Sequence, residues 1–292
     1  MEKPDDLPNR IHTATRDIHH DLNQFIIGRL PLCLPPCTDS PRLYALGLSH
    51  FAWMYFAMEQ AWEGHIACTN HHNTDNTRIT QLLRRVYIPA LHRSARLHRD
   101  FSGLNVAVPE NPEGTVQDIV AHITDAAVAR PHVLLAYGWI LYMALFNGGR
   151  WIRKQLASAG PGFWGTQEFE TTCLSFWHFD GYRSEEDWKQ DFRARVTEAG
   201  NDLTEEEVRD VVAEAKAIFC MCKSIVVELD STTSREQPMQ LLALPSLTAT
   251  SELSSGMPLA KAAREVHAGL LHLLIHGFAA VIAAYFWVWF MT

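Results

Sequence analysis

Positive charge is in short supply: Lys and Arg number 25 against 33 Asp and Glu, a formal net charge of −8 over 292 residues. Neutralising nucleic-acid phosphates takes a basic face, so this balance argues against DNA or RNA as a partner. Cysteine is scarce as well. Cys33, Cys37, Cys68, Cys173, Cys220 and Cys222 are six in a chain too long to be a disulfide framework. They read as free thiols of a reducing compartment. Internal repeats are missing and strand-like alternation is rare. The opening Met1-Glu2-Lys3-Pro4-Asp5-Asp6 lacks the apolar run of a signal peptide, so none is expected.

The longest gap in charge lies at the other end, where Gly269 to Met291 holds no Asp, Glu, Lys or Arg. As a helix it would be roughly 35 Å long, enough to span a bilayer with some tilt. Lys261 and Arg264 precede it, and Tyr285-Phe286-Trp287-Val288-Trp289-Phe290 sits where an interfacial aromatic belt would fall. The expectation is a tail anchor that leaves the preceding domain facing the cytosol. A buried amphipathic helix, with His272 and His276 as its polar points, is the alternative.

What remains is helical in period. After a polar tail over residues 1–8 the spacing predicts a first helix, then breaks at Pro31, Pro35 and Pro36. Pro41 suits the first turn of a second helix running to about Glu63, with Phe51, Tyr55 and Trp62 as a core stripe. Cys68 to Asn73 reads as a loop, and Leu82 to Arg99 as a basic, solvated helix. A short helix ends near Ala127, and Pro131 opens a long apolar one from Val133 to Leu156. Glu168–His178 and Ser184–Thr197 read as two more helices. Thr204-Glu205-Glu206-Glu207 is close to a capping box, opening a last helix to about Leu229. Ser231 to Met257, rich in Ser, Thr and Pro, reads as a flexible linker. The fold class is therefore all-α, with a single helical domain over 9–230, a linker over 231–257, and a juxtamembrane segment and anchor over 258–292.

Two stretches bear on chemistry. In Ile11 to Asn23, the residues His12, Arg16, His19 and Asn23 recur at i, i+4, i+7 and i+11 and share one helix face, beside apolar Ile11, Ile18 and Leu22. A neutral imidazole there can satisfy one ring nitrogen locally and offer the other to a metal. The second stretch is Tyr142 to Ile152, where Gly148 and Gly149 sit inside an apolar helix at a cost of about 1 kcal/mol each relative to alanine. Close helix packing would justify them. So would close approach of backbone to a flat ligand, for which Ala144 and Gly148, one turn apart, make a smooth strip.

Ala14-Thr15-Arg16-Asp17-Ile18-His19, continuing into Asn23-Gln24-Phe25 and Arg29-Leu30-Pro31-Leu32, resembles the opening helix of the haem oxygenase family in its fungal version. The resemblance implies that His19 is the proximal ligand of haem iron. The Gly-Gly stretch is similar to the family's distal helix, G-D-L-S-G-G. Gly148 and Gly149 match its last two positions, and Ala144 takes that of the first glycine. Leu145 falls where the family carries its distal aspartate, which is understood to order a water beside the iron-bound oxygen. Leucine cannot hydrogen-bond water, so either Asn147 takes over that role or oxygenation is impaired. Lys189 and Arg193, at i and i+4, match the pair that grips the haem propionates, a task suited to a point charge and a planar fork. Arg16 stands at a first-helix lysine, and Phe219 at an aromatic wall of the pocket.

The resemblance covers about residues 9 to 230. It implies a haem oxygenase-like helical bundle in which haem is cofactor and substrate, cleaved to biliverdin, carbon monoxide and ferrous iron. An NADPH-dependent reductase would supply electrons from the same membrane, with the endoplasmic reticulum as the expected location. Two other readings stand beside it: a haem-binding or regulatory protein that has lost turnover at Leu145, and a non-haem di-iron oxidase suggested by Glu59, Glu63 and His65, which lacks a second ligand set.

Overall fold

A computed structural model describes residues 5–67, 74–107 and 110–241. The expected loop over Cys68–Asn73 and the expected anchor over Gly269–Met291 lie outside those residues. The chain divides into two units, Met1–Gln240 and Leu241–Thr292, and the architecture below is that of the first.

No strand occurs among the described residues, in keeping with the all-α expectation. Helix α1 spans Leu7–Arg29, opened by Asp6, whose Oδ1 accepts the Asn9 N–H at 2.9 Å, and by Pro8 in the first turn. It buries Leu7, Ile11, Thr15 and Leu22. Helix α2, Arg42–Ala67, is the long central element and hides Tyr44, Leu48, Tyr55, Met58 and Trp62. Helix α5, Gly114–Ala129, packs along it. Helix α6, Leu134–Ala144, is apolar all round and therefore buried on nearly every side. It passes through a π turn, Leu145–Gly149, into α7, Arg150–Ser158. One-turn helices follow as α8, Gly160–Trp164, and α9, Phe169–Thr172. Helix α10, Glu185–Asn201, starts on a reciprocal capping box between Ser184 and Asp187. Helix α11, Glu205–Leu241, has another between Thr204 and Glu207, as expected.

Three expectations need correction. Leu82–Arg99 is not one solvated helix: α3 spans Thr74–Val86, Pro89 forces a 3₁₀ turn, and α4 restarts at Ser94 and runs to Gly103. Nor are all its arginines at the surface: Arg84, Arg85 and Arg99 are exposed, but Arg93 and Arg96 are buried. Arg93 is fully buried, its guanidinium donating to the carbonyls of Ala90, Leu91, Phe176 and His178. Burial lowers its pKa to about 10. Glu168–His178 is likewise no continuous helix. The Ser175 and Phe176 amides donate to the buried Asp100 carboxylate at 2.7 and 2.8 Å, so they are unavailable for a helical ladder. Finally, α11 continues past Leu229 into the expected linker. There the Ser231, Thr232 and Thr233 hydroxyls bond back to carbonyls four residues earlier, and Arg29 pairs with Asp230 to hold α11 beside the end of α1.

Candidate functional site

Five elements carry the residues singled out from the sequence: α1, α6, the π turn, α10 and α11. Helix α10 lies against α1, and it also touches α6 and the π turn. Its approach to α1 depends on Gly200, where a Cβ would come within 2.6 Å of Leu7. On α1, the His19 ring is partly buried and meets Phe219 of α11 edge-on, with centroids 5.6 Å apart and planes at 88°. Burial lowers the His19 pKa first, and the neighbouring His12 and His20 push the same way. The imidazole is therefore neutral at neutral pH, as a metal ligand must be. Arg16 is exposed and pairs with its neighbour Asp17 at 3.4 Å.

The two glycines of the second stretch turn out to have different reasons. A Cβ on Gly149 would stand 3.3 Å from the Ala144 carbonyl oxygen and 3.4 Å from the Trp177 ring, so this glycine serves packing. A Cβ on Gly148 would meet nothing within 4 Å. Ala144 and Gly148 are both exposed, one turn apart, and front open space as a smooth strip. Leu145 and Phe146 turn inward and are buried. Asn147 is partly buried, and its Oδ1 is sealed from solvent without a hydrogen-bond partner. A buried polar atom left unmatched costs stability, and here it lies on the one irregular turn of the long apolar segment. π turns of this kind occur mostly as single-turn insertions in α-helices and are frequent at functional sites.

On α10, Lys189 is partly buried and Arg193 exposed. The Arg193 guanidinium stands 5.9 Å from the Trp139 ring centre on α6, and Lys189 lowers the pKa of Glu186 one turn away. The structure thus joins His19 to Phe219 and ties Arg193 to α6. It leaves Arg16 paired locally.

A buried polar cluster beside the π turn escaped the sequence reading. Glu59, only 3% exposed, accepts the Arg93 and Ser94 amides at 2.7 and 2.9 Å and the Tyr142 hydroxyl at 3.1 Å. Tyr55, one turn earlier on α2, donates to the Leu141 carbonyl at 3.0 Å. The i, i+4 spacing of Tyr55 and Glu59 was visible, but Tyr55 and Glu59 both engage main-chain groups, which leave no trace in residue identity. The same geometry removes the support for a di-iron site. Glu59 caps α4, Glu63 faces His92 and Tyr87, and His65 bonds the Ala127 carbonyl. Among the described residues no group of three or more His, Cys, Asp or Glu is placed to hold a metal.

Comparison with known proteins bears on the family and the fold. The chain is 22% identical over 250 residues to heme-binding protein HMX1 of Saccharomyces cerevisiae, covering 79% of this chain and 77% of the relative. Its fold is similar to heme oxygenase of Leptospira interrogans, with a TM-score of 0.60 at 20% identity, over 76% of this chain and 99% of that one. It is also similar to heme oxygenase-1 of Synechocystis sp. PCC6803, solved in complex with heme, with a TM-score of 0.61 at 19% identity, over 81% and 98% of the two chains. The family model described as Heme oxygenase matches residues 5–228, nearly the whole helical unit, and the chain belongs to the haem oxygenase family.

Proposed function

We propose that this chain binds haem through His19 and cleaves it oxidatively to biliverdin, carbon monoxide and ferrous iron. Haem is the ligand and substrate that go with the family. The residues present fit it: a neutral imidazole on α1, open space over Gly148, and an unmatched buried oxygen on Asn147. The observation that carries the proposal is the His19 ring, kept unprotonated by burial and fixed edge-on by Phe219. When bound, haem would supply an iron that takes up dioxygen and a macrocycle that is consumed.

The chain's own residues have separable tasks. His19 would hold the iron, and Phe219 keeps its ring from turning. Arg16, Lys189 and Arg193 would bind the propionate carboxylates by charge-assisted hydrogen bonds. Ala144 and Gly148 leave room for a flat ring, and Gly149 lets the turn close against Trp177. The Asn147 side-chain amide would orient water on the oxygen-binding side, since Leu145 is buried and apolar. Electrons would come from an NADPH-dependent reductase.

Leu145 favours a second reading, haem binding with impaired turnover. Adding reductase and NADPH to the haem complex separates the two: biliverdin and released iron support cleavage, and bound haem that persists supports a binding role. Titrating haem into the chain tests the ligand assignment. The Soret band should shift on binding, and His19→Ala should lose that shift; an unchanged variant spectrum rejects His19 as ligand.

No helix among the described residues is long and apolar enough to cross a membrane. The segment Gly269–Met291, outside them, is proposed as a tail anchor in the endoplasmic reticulum membrane, with the haem domain facing the cytosol. Its uncharged, aromatic-ended sequence supports that reading. Release of the full chain from membranes by alkaline carbonate would overturn it.

A further inference from the structure

We propose that the Tyr55 hydroxyl holds Leu145–Gly149 in its π turn, making a residue of α2 the positioning residue for the backbone that faces the haem. In a regular α-helix the Leu141 carbonyl would accept from the amide of Leu145, four residues on. Here the Leu145 N–H goes to the Tyr142 carbonyl instead, three residues back, immediately before the wider π spacing begins. The Leu141 carbonyl thus lacks the Leu145 amide it would take in a regular α-helix, in a buried place where a poorly matched acceptor is costly. The Tyr55 hydroxyl replaces that donor at 3.0 Å.

The replacement is itself held in place. Tyr55 is 5% exposed, and its ring meets Phe176 edge-on at 5.1 Å and 86°. Glu59, one turn further along α2, takes the hydroxyl of Tyr142, the very residue whose carbonyl accepts the displaced amide. Two successive residues of α6 are therefore tied to two side chains of α2 at the point where the helix changes pitch. A straight α-helix would return the Leu145 amide to Leu141, whose carbonyl would then have to serve that amide and the Tyr55 hydroxyl together. The tyrosine supplies a donor to the carbonyl that the irregular turn deprives of its α-helical amide. The turn then sets which way Ala144, Asn147 and Gly148 face; this functional meaning rests on the proposed haem site, whereas the brace itself does not.

The alternative is that Tyr55 merely finds the nearest carbonyl for a buried hydroxyl, with the π turn held by packing elsewhere. Amide hydrogen exchange on the full chain without haem separates the two. In Tyr55→Phe, the amides of residues 145–150 should exchange roughly tenfold faster, while those of α2 and α5 stay within about twofold of wild type. Tyr137→Phe removes another buried hydroxyl from the same helix, one that donates to Glu214 at 2.6 Å, and should leave the π-turn amides unchanged. The C–O stretch of the ferrous carbonyl complex gives a second readout: it should shift or broaden in Tyr55→Phe and not in Tyr137→Phe. Unchanged exchange at 145–150, or a uniform acceleration across α2, α5 and the turn, would overturn the brace. Because exchange is read without haem, that result is independent of whether the chain binds haem at all.

Discussion

Helix α1 and the π turn would hold haem from opposite faces, and they are built in opposite ways. Helix α1 is regular, closed by its own cap at Asp6, and its chemistry resides in one side chain, His19. The π turn offers no iron ligand. Its contribution is shape: an exposed Ala144–Gly148 strip, an inward Leu145 and a half-hidden Asn147, kept that way by Trp177, Tyr55 and Glu59 from other elements. One face depends on a ring nitrogen that local sequence can place. The other depends on backbone geometry that only tertiary contacts can hold.

That contrast can be pressed, starting where the effect should be greatest. Asn147→Ala should leave haem binding within about twofold of wild type while slowing biliverdin formation by roughly 100-fold, the usual cost of one placed hydrogen-bonding group in an active site. Equal losses in binding and turnover would mean that Asn147 only shapes the pocket. The neighbouring glycines should then part company. Gly149→Leu should lower stability in urea by about 1–3 kcal/mol, because its side chain would enter the Ala144–Trp177 contact. Gly148→Leu should keep stability or raise it by up to about 1 kcal/mol through helix propensity. It should still weaken haem binding by at least about tenfold, as bulk fills the strip. If both variants lost stability alike, the distal strip would be a packing surface.

Smaller effects concern charge. Lys189→Ala and Arg193→Ala should each reduce haem affinity by about 0.5–1 kcal/mol, less at high salt, as expected for ion pairs near the surface. Salt-independent losses would indicate a packing role for these side chains. The least effect should come from Asp230, whose pKa is held below the usual carboxylate value by its hydrogen bond from Arg29. A depressed pKa means that this contact stabilises the fold above the ordinary carboxylate range and loses that effect as pH falls through the lowered value. Asp230→Asn should therefore exchange faster than wild type at the α1–α11 contact near neutral pH, and the difference should shrink as wild-type Asp230 is protonated in acid.

The same division explains what residue order revealed. The first helix, the capping box at Thr204 and the all-α class follow from caps and period, which are local. His19 and the glycine pair were singled out because a family pattern names them, and their roles in haem binding are proposals. Among the arginines of residues 82–99 it was Arg93 that misled, since a guanidinium looks solvated until four carbonyls converge on it. Glu168–His178 misled because its amides are claimed by Asp100 from α4. The brace from Tyr55 to Leu141 was invisible for a related reason: its acceptor is a main-chain carbonyl, and residue identity says nothing about which carbonyl has lost its donor.

The most direct test of the two-faced pocket is a crystal structure of the chain with haem bound. The account predicts iron bonded to a ring nitrogen of His19, with the Gly148 backbone against the opposite face of the macrocycle. Iron held by any other residue, or a macrocycle out of contact with Gly148, would contradict it.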